Sequence, residues 1–208
     1  MAVRERGSEA DAPKRGRGRP RSHECHSAIL AATVELLDER KYTGVTMESV
    51  AERASVSKQT VYKWWPSKAR LVMEASLARA DQDIPDVDSG SVVKDLERFL
   101  LATCRLLSER LTGPTVAGLI AEAQSDPEVA RELRDTFIAG RRAKCARIVE
   151  RGIARGELRK GIDIPFVLDL FYGPIWYRLL LKNGPLDARF ARAIVHSIVP
   201  AFTVPRKR

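Results

Sequence analysis

From Ile29 onward, apolar residues recur at intervals of three and four, the spacing that places side chains on one face of an α-helix. Ile29, Leu30, Val34 and Leu37 define a first such face, which the run Lys41-Tyr42-Thr43-Gly44 should end. Thr46 then stands as an N-cap for a short helix over 47–53, with Glu48 near its positive end. A brief turn, Ala54-Ser55-Val56, leads to Ser57, the expected cap of another short helix. A fourth helix is expected over 67–80, with Leu71, Ala75 and Ala78 turned inward, and Pro85 among several acids marks a break after it. Further helices are expected over 91–110, 114–123 and 127–156. The last of these opens on Ser125-Asp126-Pro127-Glu128, which combines a cap, a proline in the first turn and a Glu three residues after the Ser. Two more, over 164–182 and 187–202, are divided by the stop signal Lys182-Asn183-Gly184-Pro185. Strand-like alternation is nearly absent and no repeat of 20–50 residues stands out, so the pattern predicts an all-α chain.

The helix over 164–182 differs from the others, because Phe166, Leu170, Phe171, Ile175, Trp176, Leu179 and Leu180 surround it nearly completely. Such a helix needs cover on more than one side. Asp169, Arg178 and a Gly-Pro pair make it a poor membrane span, and Pro174 should kink it by removing a backbone donor. The chain has 208 residues, 44% of them hydrophobic, enough to build a proper core. A helix buried in protein is therefore expected, with no membrane partner. Cys25, Cys104 and Cys145 are too few and too scattered for a disulfide framework, and no signal segment opens the chain, so a cytoplasmic protein is expected.

Charge changes this picture at one end of the chain. The formal net charge is +9, and residues 1–21 hold seven Lys or Arg against three acids. The terminal Arg206-Lys207-Arg208 adds three more positive charges, leaving about +2 for the body. Residues 1–21 are rich in Gly, Pro, Arg and Glu and lack the apolar content to fold alone, so they read as a mobile basic arm. The segment Lys14 to Arg21 reads KRGRGRPR. Its Arg17-Gly18-Arg19-Pro20 core resembles an AT-hook, an extended strand that lies along a narrow minor groove and inserts arginines into its negative potential. A generic electrostatic tail is the plainer alternative.

The stretch Ser55 to Lys68, SVSKQTVYKWWPSK, carries the most specific chemistry. At about 100° per residue, Val61 and Trp65 share one face of its helix while Gln59, Tyr62 and Lys63 share the other. One face anchors and the other is free. Two short helices joined by a turn of three to four residues form a helix-turn-helix, whose second helix can enter a DNA major groove. Lysines suit phosphates, and Gln can make paired hydrogen bonds to a base edge.

The span TMESVAERASVSKQTVYKWWPSKARL, Thr46 to Leu71, resembles the DNA-binding signature of TetR-family transcriptional regulators. It has the capping Thr, the Val-Ala pair, an Ala-x-Val turn, Val-Tyr with an aromatic after it, and Ser-Lys before Leu. Ser55 departs from the pattern where the family usually has Gly. The resemblance implies an N-terminal three-helix helix-turn-helix domain followed by a larger helical domain for ligand binding and dimerisation. The corresponding division is a basic arm over 1–21, a DNA-binding domain over 22–68, a regulatory and dimerisation domain over 69–205, and a basic tail over 206–208. Thr46, Lys58, Tyr62, Lys63 and Lys68 are then expected on phosphates, Gln59 and Thr60 at base edges, and Arg17 and Arg19 in the minor groove. Val50, Ala54, Val56, Val61, Trp65 and Leu71 are expected in the core, with Trp64 either packed or on the DNA backbone.

His23, Cys25 and His26 lie close together, but no second pair completes a tetrahedral zinc site, and no metal is expected. There is no Gly-rich phosphate loop, nucleophile elbow or paired-carboxylate motif, so neither an enzyme nor a cofactor is expected. By resemblance, the function is a ligand-responsive regulator, most readily a repressor, that binds double-stranded operator DNA as a homodimer through its C-terminal helices. The effector is a small molecule the sequence does not identify. The rival reading is a constitutive architectural DNA-binding protein with no effector.

Overall fold

A computed structural model describes residues 19–80 and 86–204. Among these residues ten α-helices follow one another: α1 (Arg19–Gly44), α2 (Met47–Arg53), α3 (Lys58–Trp64), α4 (Lys68–Ala80), α5 (Val92–Ser108), α6 (Thr112–Ala123), α7 (Pro127–Glu132), α8 (Ala139–Ala154), α9 (Ile164–Leu181) and α10 (Ala188–Ile198). A 3₁₀ turn, Val199–Phe202, closes the described chain. Among the described residues the only β pairing is an isolated bridge between Leu158 and Thr203.

The first three helices enclose a small core. Ile29, Leu36 and Leu37 of α1 meet Val50 of α2 and Val61 of α3, with Trp65, Leu71 and Val72 completing it. The buried face of α1 is rotated from the one expected, since Leu30 and Val34 are half-buried while Thr33 and Leu36 point inward. Thr33 can do so because its hydroxyl donates to the Ile29 carbonyl at 2.8 Å, leaving no unpaired polar atom. α1 also begins earlier than expected, so Arg19 and Pro20 form its first turn and not an extended segment. A proline is tolerated there because first-turn N–H groups have no intrahelical partner. At the other end, Lys41 adopts φ 61°, ψ 176° and breaks the helical path where the stop was expected.

The helix expected over 127–156 is interrupted by a π-helical turn, Leu133–Ile138, between α7 and α8. Leu133, Phe137, Arg141, Cys145 and Val149 are all buried, a ladder of four-residue steps. On an ideal helix those four steps would drift about 160°, and the extra residue of a π turn takes back about 100° of it. The turn keeps the ladder on the core. Arg141 is thereby carried inside, with its guanidinium 3.6 Å from the Phe137 ring centroid and Nη1 donating to the Phe137 carbonyl at 3.1 Å.

α9 runs through Pro174 as one helix. On length and composition it could cross a membrane, but Val167, Leu168, Phe171, Tyr172 and Ile175 are in the core. Its opposite side is bare: Phe166, Tyr177, Leu180 and Leu181 are exposed and Leu170 is half-buried. Acidic residues just before α5 are clamped onto α8, with Asp86 paired to Arg147 and Arg151, and Asp88 to Arg151 and Arg155.

Candidate nucleic-acid interface

Each turn of the helix-turn-helix is fixed by a local hydrogen bond. The Thr46 hydroxyl accepts from the Ser49 N–H at 3.0 Å and the Thr46 N–H donates to Ser49 Oγ at 3.1 Å, a reciprocal capping box that starts α2. Ser49 in the fourth position of that box was not anticipated, because the usual partner is Glu or Gln. α2 is tied to α1 by Arg53, which reaches Glu39 at 2.8 Å and Glu35 at 3.1 Å. That hydrogen bond holds the Glu39 carboxyl below its ordinary range.

The turn between α2 and α3 depends on one residue. Ser55 sits at φ 54°, in the left-handed region that favours glycine, so that Val56 can turn back and donate to the Ala51 carbonyl at 2.9 Å. Ser57 then caps α3, accepting from the Thr60 N–H at 3.2 Å. α3 presents two faces as expected. Val61 is fully buried, Trp65 at its end is 1% exposed, and Gln59, Lys63 and Tyr62 face outward. Lys58 is also exposed, ion-paired to Glu48 of α2 and placed 5.6 Å from the Tyr62 ring centroid. The pair raises the Lys58 amine and lowers the Glu48 carboxyl, in both cases mainly through the shared hydrogen bond. Thr60 is half-buried, its hydroxyl 2.8 Å from that of Ser57.

One expected site residue lies elsewhere, and two others cannot be placed at the interface. Lys68 turns away from the free face of α3, its amine 3.4 Å from Glu122 and 4.1 Å from the Tyr42 ring centroid. Arg17 lies outside the described residues, and Arg19 is placed only as the start of α1. Trp64 is 40% exposed and meets His26 edge-on at 5.0 Å. His26 also lies 4.7 Å from the Trp65 ring and 3.1 Å from Glu74, whose carboxylate accepts the Trp65 indole N–H at 2.7 Å. His26 thus joins α1 to α3 and α4 by ring packing and one carboxylate.

The first four helices meet the rest of the chain through α6, α7 and the π turn, with Tyr42 at the centre of the α6 contact. Tyr42 packs so closely on α6 that a Cβ at Gly118 would lie 2.6 Å from its own Cβ. Its hydroxyl donates to Glu122 at 2.8 Å, across 80 residues of sequence. Burial first, and that carboxylate second, push the Tyr42 hydroxyl well above its ordinary pKa. Arg70 to Glu132 at 3.0 Å and Arg110 to Asp38 at 3.2 Å flank the contact. No spacing rule could have paired these residues.

Residues 29–75 match the family described as bacterial regulatory proteins, tetR family, and residues 86–198 match the tetracyclin repressor-like C-terminal domain. The chain is 41% identical over 179 residues to the HTH-type transcriptional regulator YdeS of Bacillus subtilis, covering 86% of this chain and 90% of that protein. It is 29% identical over 201 residues to the DNA-binding transcriptional repressor TetR of Mycobacteroides abscessus, covering 92% and 98% respectively. The crystal structure of the TetR family transcription regulator SCO0332 superposes with a TM-score of 0.73 at 31% identity, covering 88% of this chain and all of that one.

Proposed function

The chain belongs to the TetR family of DNA-binding transcriptional regulators, and from that premise we propose that it is an effector-responsive repressor that binds a pseudo-palindromic operator as a homodimer in the cytoplasm. The observation that carries the reading is the split character of α3. Its apolar face is locked into the core through Val61, while Gln59, Tyr62 and Lys63 are exposed in a row suited to a major groove. In this reading Gln59 and Thr60 face base edges, and Thr46, Lys58, Tyr62 and Lys63 lie along phosphates. Lys68 reaches DNA only by leaving Glu122.

The bare side of α9 supports the dimer. Phe166, Leu170, Gly173, Tyr177 and Leu180 follow one another at steps of four, three, four and three, the spacing of a helix–helix seam. Nothing within 4 Å would meet a Cβ at Gly173, so the seam is open to a partner. A two-fold pairing there sets the distance between two reading heads, and an effector alters DNA affinity only by preferring one spacing.

The test is footprinting of the full chain on promoter DNA to define the operator, followed by binding of two variants. Gln59→Ala should relax base preference at one operator position by about 1–3 kcal/mol, whereas Lys63→Ala should weaken all sequences alike. Equal losses across sequences for both would refute the division of roles. Binding without any defined site would favour the architectural alternative.

A further inference from the structure

A cleft of about 780 Å³ opens where the end of α1 meets the α5–α6 turn and the end of α9. That volume lies within the range of small-molecule sites. Its walls are of two kinds. Leu107, Ala117, Leu179 and Leu186 give an apolar floor, and Lys41, Arg110, Arg178 and Lys182 give a cationic border. Two carboxylates, Glu109 and Asp187, also line it, but both are engaged. Glu109 accepts from the Thr112 hydroxyl at 2.9 Å, and Asp187 caps α10 by accepting from the Phe190 N–H at 2.8 Å.

The cations are not equally engaged. Arg178 donates to the Pro185 carbonyl at 2.6 Å and stacks 3.6 Å from the Phe190 ring centroid, which fixes it as part of the wall. Arg110 pairs with Asp38. Among the described residues Lys41 makes only a 3.4 Å bond to the Asp38 carbonyl, and Lys182 has no ion-pair partner. Both of these lysines are held in left-handed backbone conformation, at φ 61° and φ 53°. With Ser55 they are the only non-glycine residues so held among those described. Such conformations persist where the surrounding structure over-determines them, and they gather at sites of function.

From this geometry we propose that the cleft is the effector site and that it takes an amphipathic anion, an apolar body ending in a carboxylate. The apolar part lies on Leu107, Leu179 and Leu186, and the carboxylate meets Lys182 and Lys41. The position explains how occupancy reaches the DNA. Lys41 belongs to the first helix of the DNA-reading unit, whereas the rest of the wall belongs to the regulatory helices. A molecule held by both favours one placement of the two units over others. This inference rests on the repressor reading, since it assigns that repressor its ligand class and site.

The experiment uses the full chain and three probes of equal length: dodecanoate, dodecanol and dodecyltrimethylammonium, each titrated by calorimetry. Dodecanoate should bind saturably, and the alcohol and the cation at least about tenfold more weakly. Lys182→Gln should remove most of the preference for the anion without changing the alcohol. Ala117→Trp, which fills the floor, should remove binding of all three, with circular dichroism confirming that it folds. Dodecanoate should also lower affinity for the footprinted operator by about fivefold or more. Absence of saturable dodecanoate binding, or equal binding by both variants, would overturn the site. Cleft binding with unchanged operator affinity would overturn its effector role. The ligand-free footprint is read separately, so a chain that finds its operator but ignores dodecanoate loses this inference alone.

Discussion

Ser55 shows how much one residue can decide. Its left-handed backbone aligns α2 with α3, and for a residue with a Cβ that conformation costs about 1–2 kcal/mol. Glycine would escape that cost but would lose more freedom on folding, about 0.5–1 kcal/mol. Ser55→Gly should therefore stabilise the chain by about 0.5–1 kcal/mol, read as a rise of about 1–3 °C in the unfolding midpoint. A lowered midpoint would mean that the serine side chain contributes something its geometry does not reveal. The cysteines tell the opposite story. Burial pushes the Cys104 thiol up to about 11 and the Cys145 thiol up to about 12, so both remain protonated and unreactive at neutral pH.

Among the elements, α9 carries the least settled surface. Its two sides have separate destinations, as Leu179 shows: a Cβ at Gly113 of α6 would meet Leu179 Cδ1 at 3.4 Å. Leu179 therefore belongs to packing within the chain, while Tyr177, 57% exposed, stands on the open seam. Tyr177→Arg should place a charge in the proposed two-fold contact and leave a folded monomer, its mass halved in light scattering. A dimer of unchanged mass would put the contact elsewhere. Leu179→Arg is a poorer probe, since it would damage the packing on α6 as well.

For the whole molecule, the basic segment before α1 poses a question of kind. Its hook-like residues divide between Arg17 and Gly18, outside the described residues, and Arg19 and Pro20, in the first turn of α1. A minor-groove ligand should favour operators flanked by A·T pairs, whose narrow groove concentrates negative potential. A generic basic tail should add affinity on any flank, and either would contribute to salt dependence. Deleting residues 1–18 should therefore weaken binding to A·T-flanked operators more than to matched G·C-flanked ones at one salt concentration. Equal weakening would reduce the segment to an electrostatic tether.

What the sequence determined by itself was local. Thr46 and Ser57, the caps read from the sequence, each accept a backbone N–H three residues on, and such bonds need no distant partner. The same holds for the two faces of α3, which follow from the helical period once Val61 and Trp65 are apolar. Before α7 the cap is Asp126 and not a Ser125–Glu128 pair, because Ser125 donates back to the Glu122 carbonyl. Ser55 was legible only as a departure from the family's glycine. Why the departure matters lies in a dihedral angle, which no residue name specifies. The tertiary structure decided everything that depends on segments meeting. It turned Lys68 toward Glu122, set Tyr42 against Gly118, and brought His26 to Glu74. It also placed a π turn inside a helix whose periodicity gave no sign of one. The cleft belongs to this second class, because Lys41 and Lys182 are separated by most of the chain and border one space only after α1 and α9 have each packed on α6. Capping and periodicity are written into neighbouring residues, whereas packing between distant segments is settled by shape and burial across the whole fold.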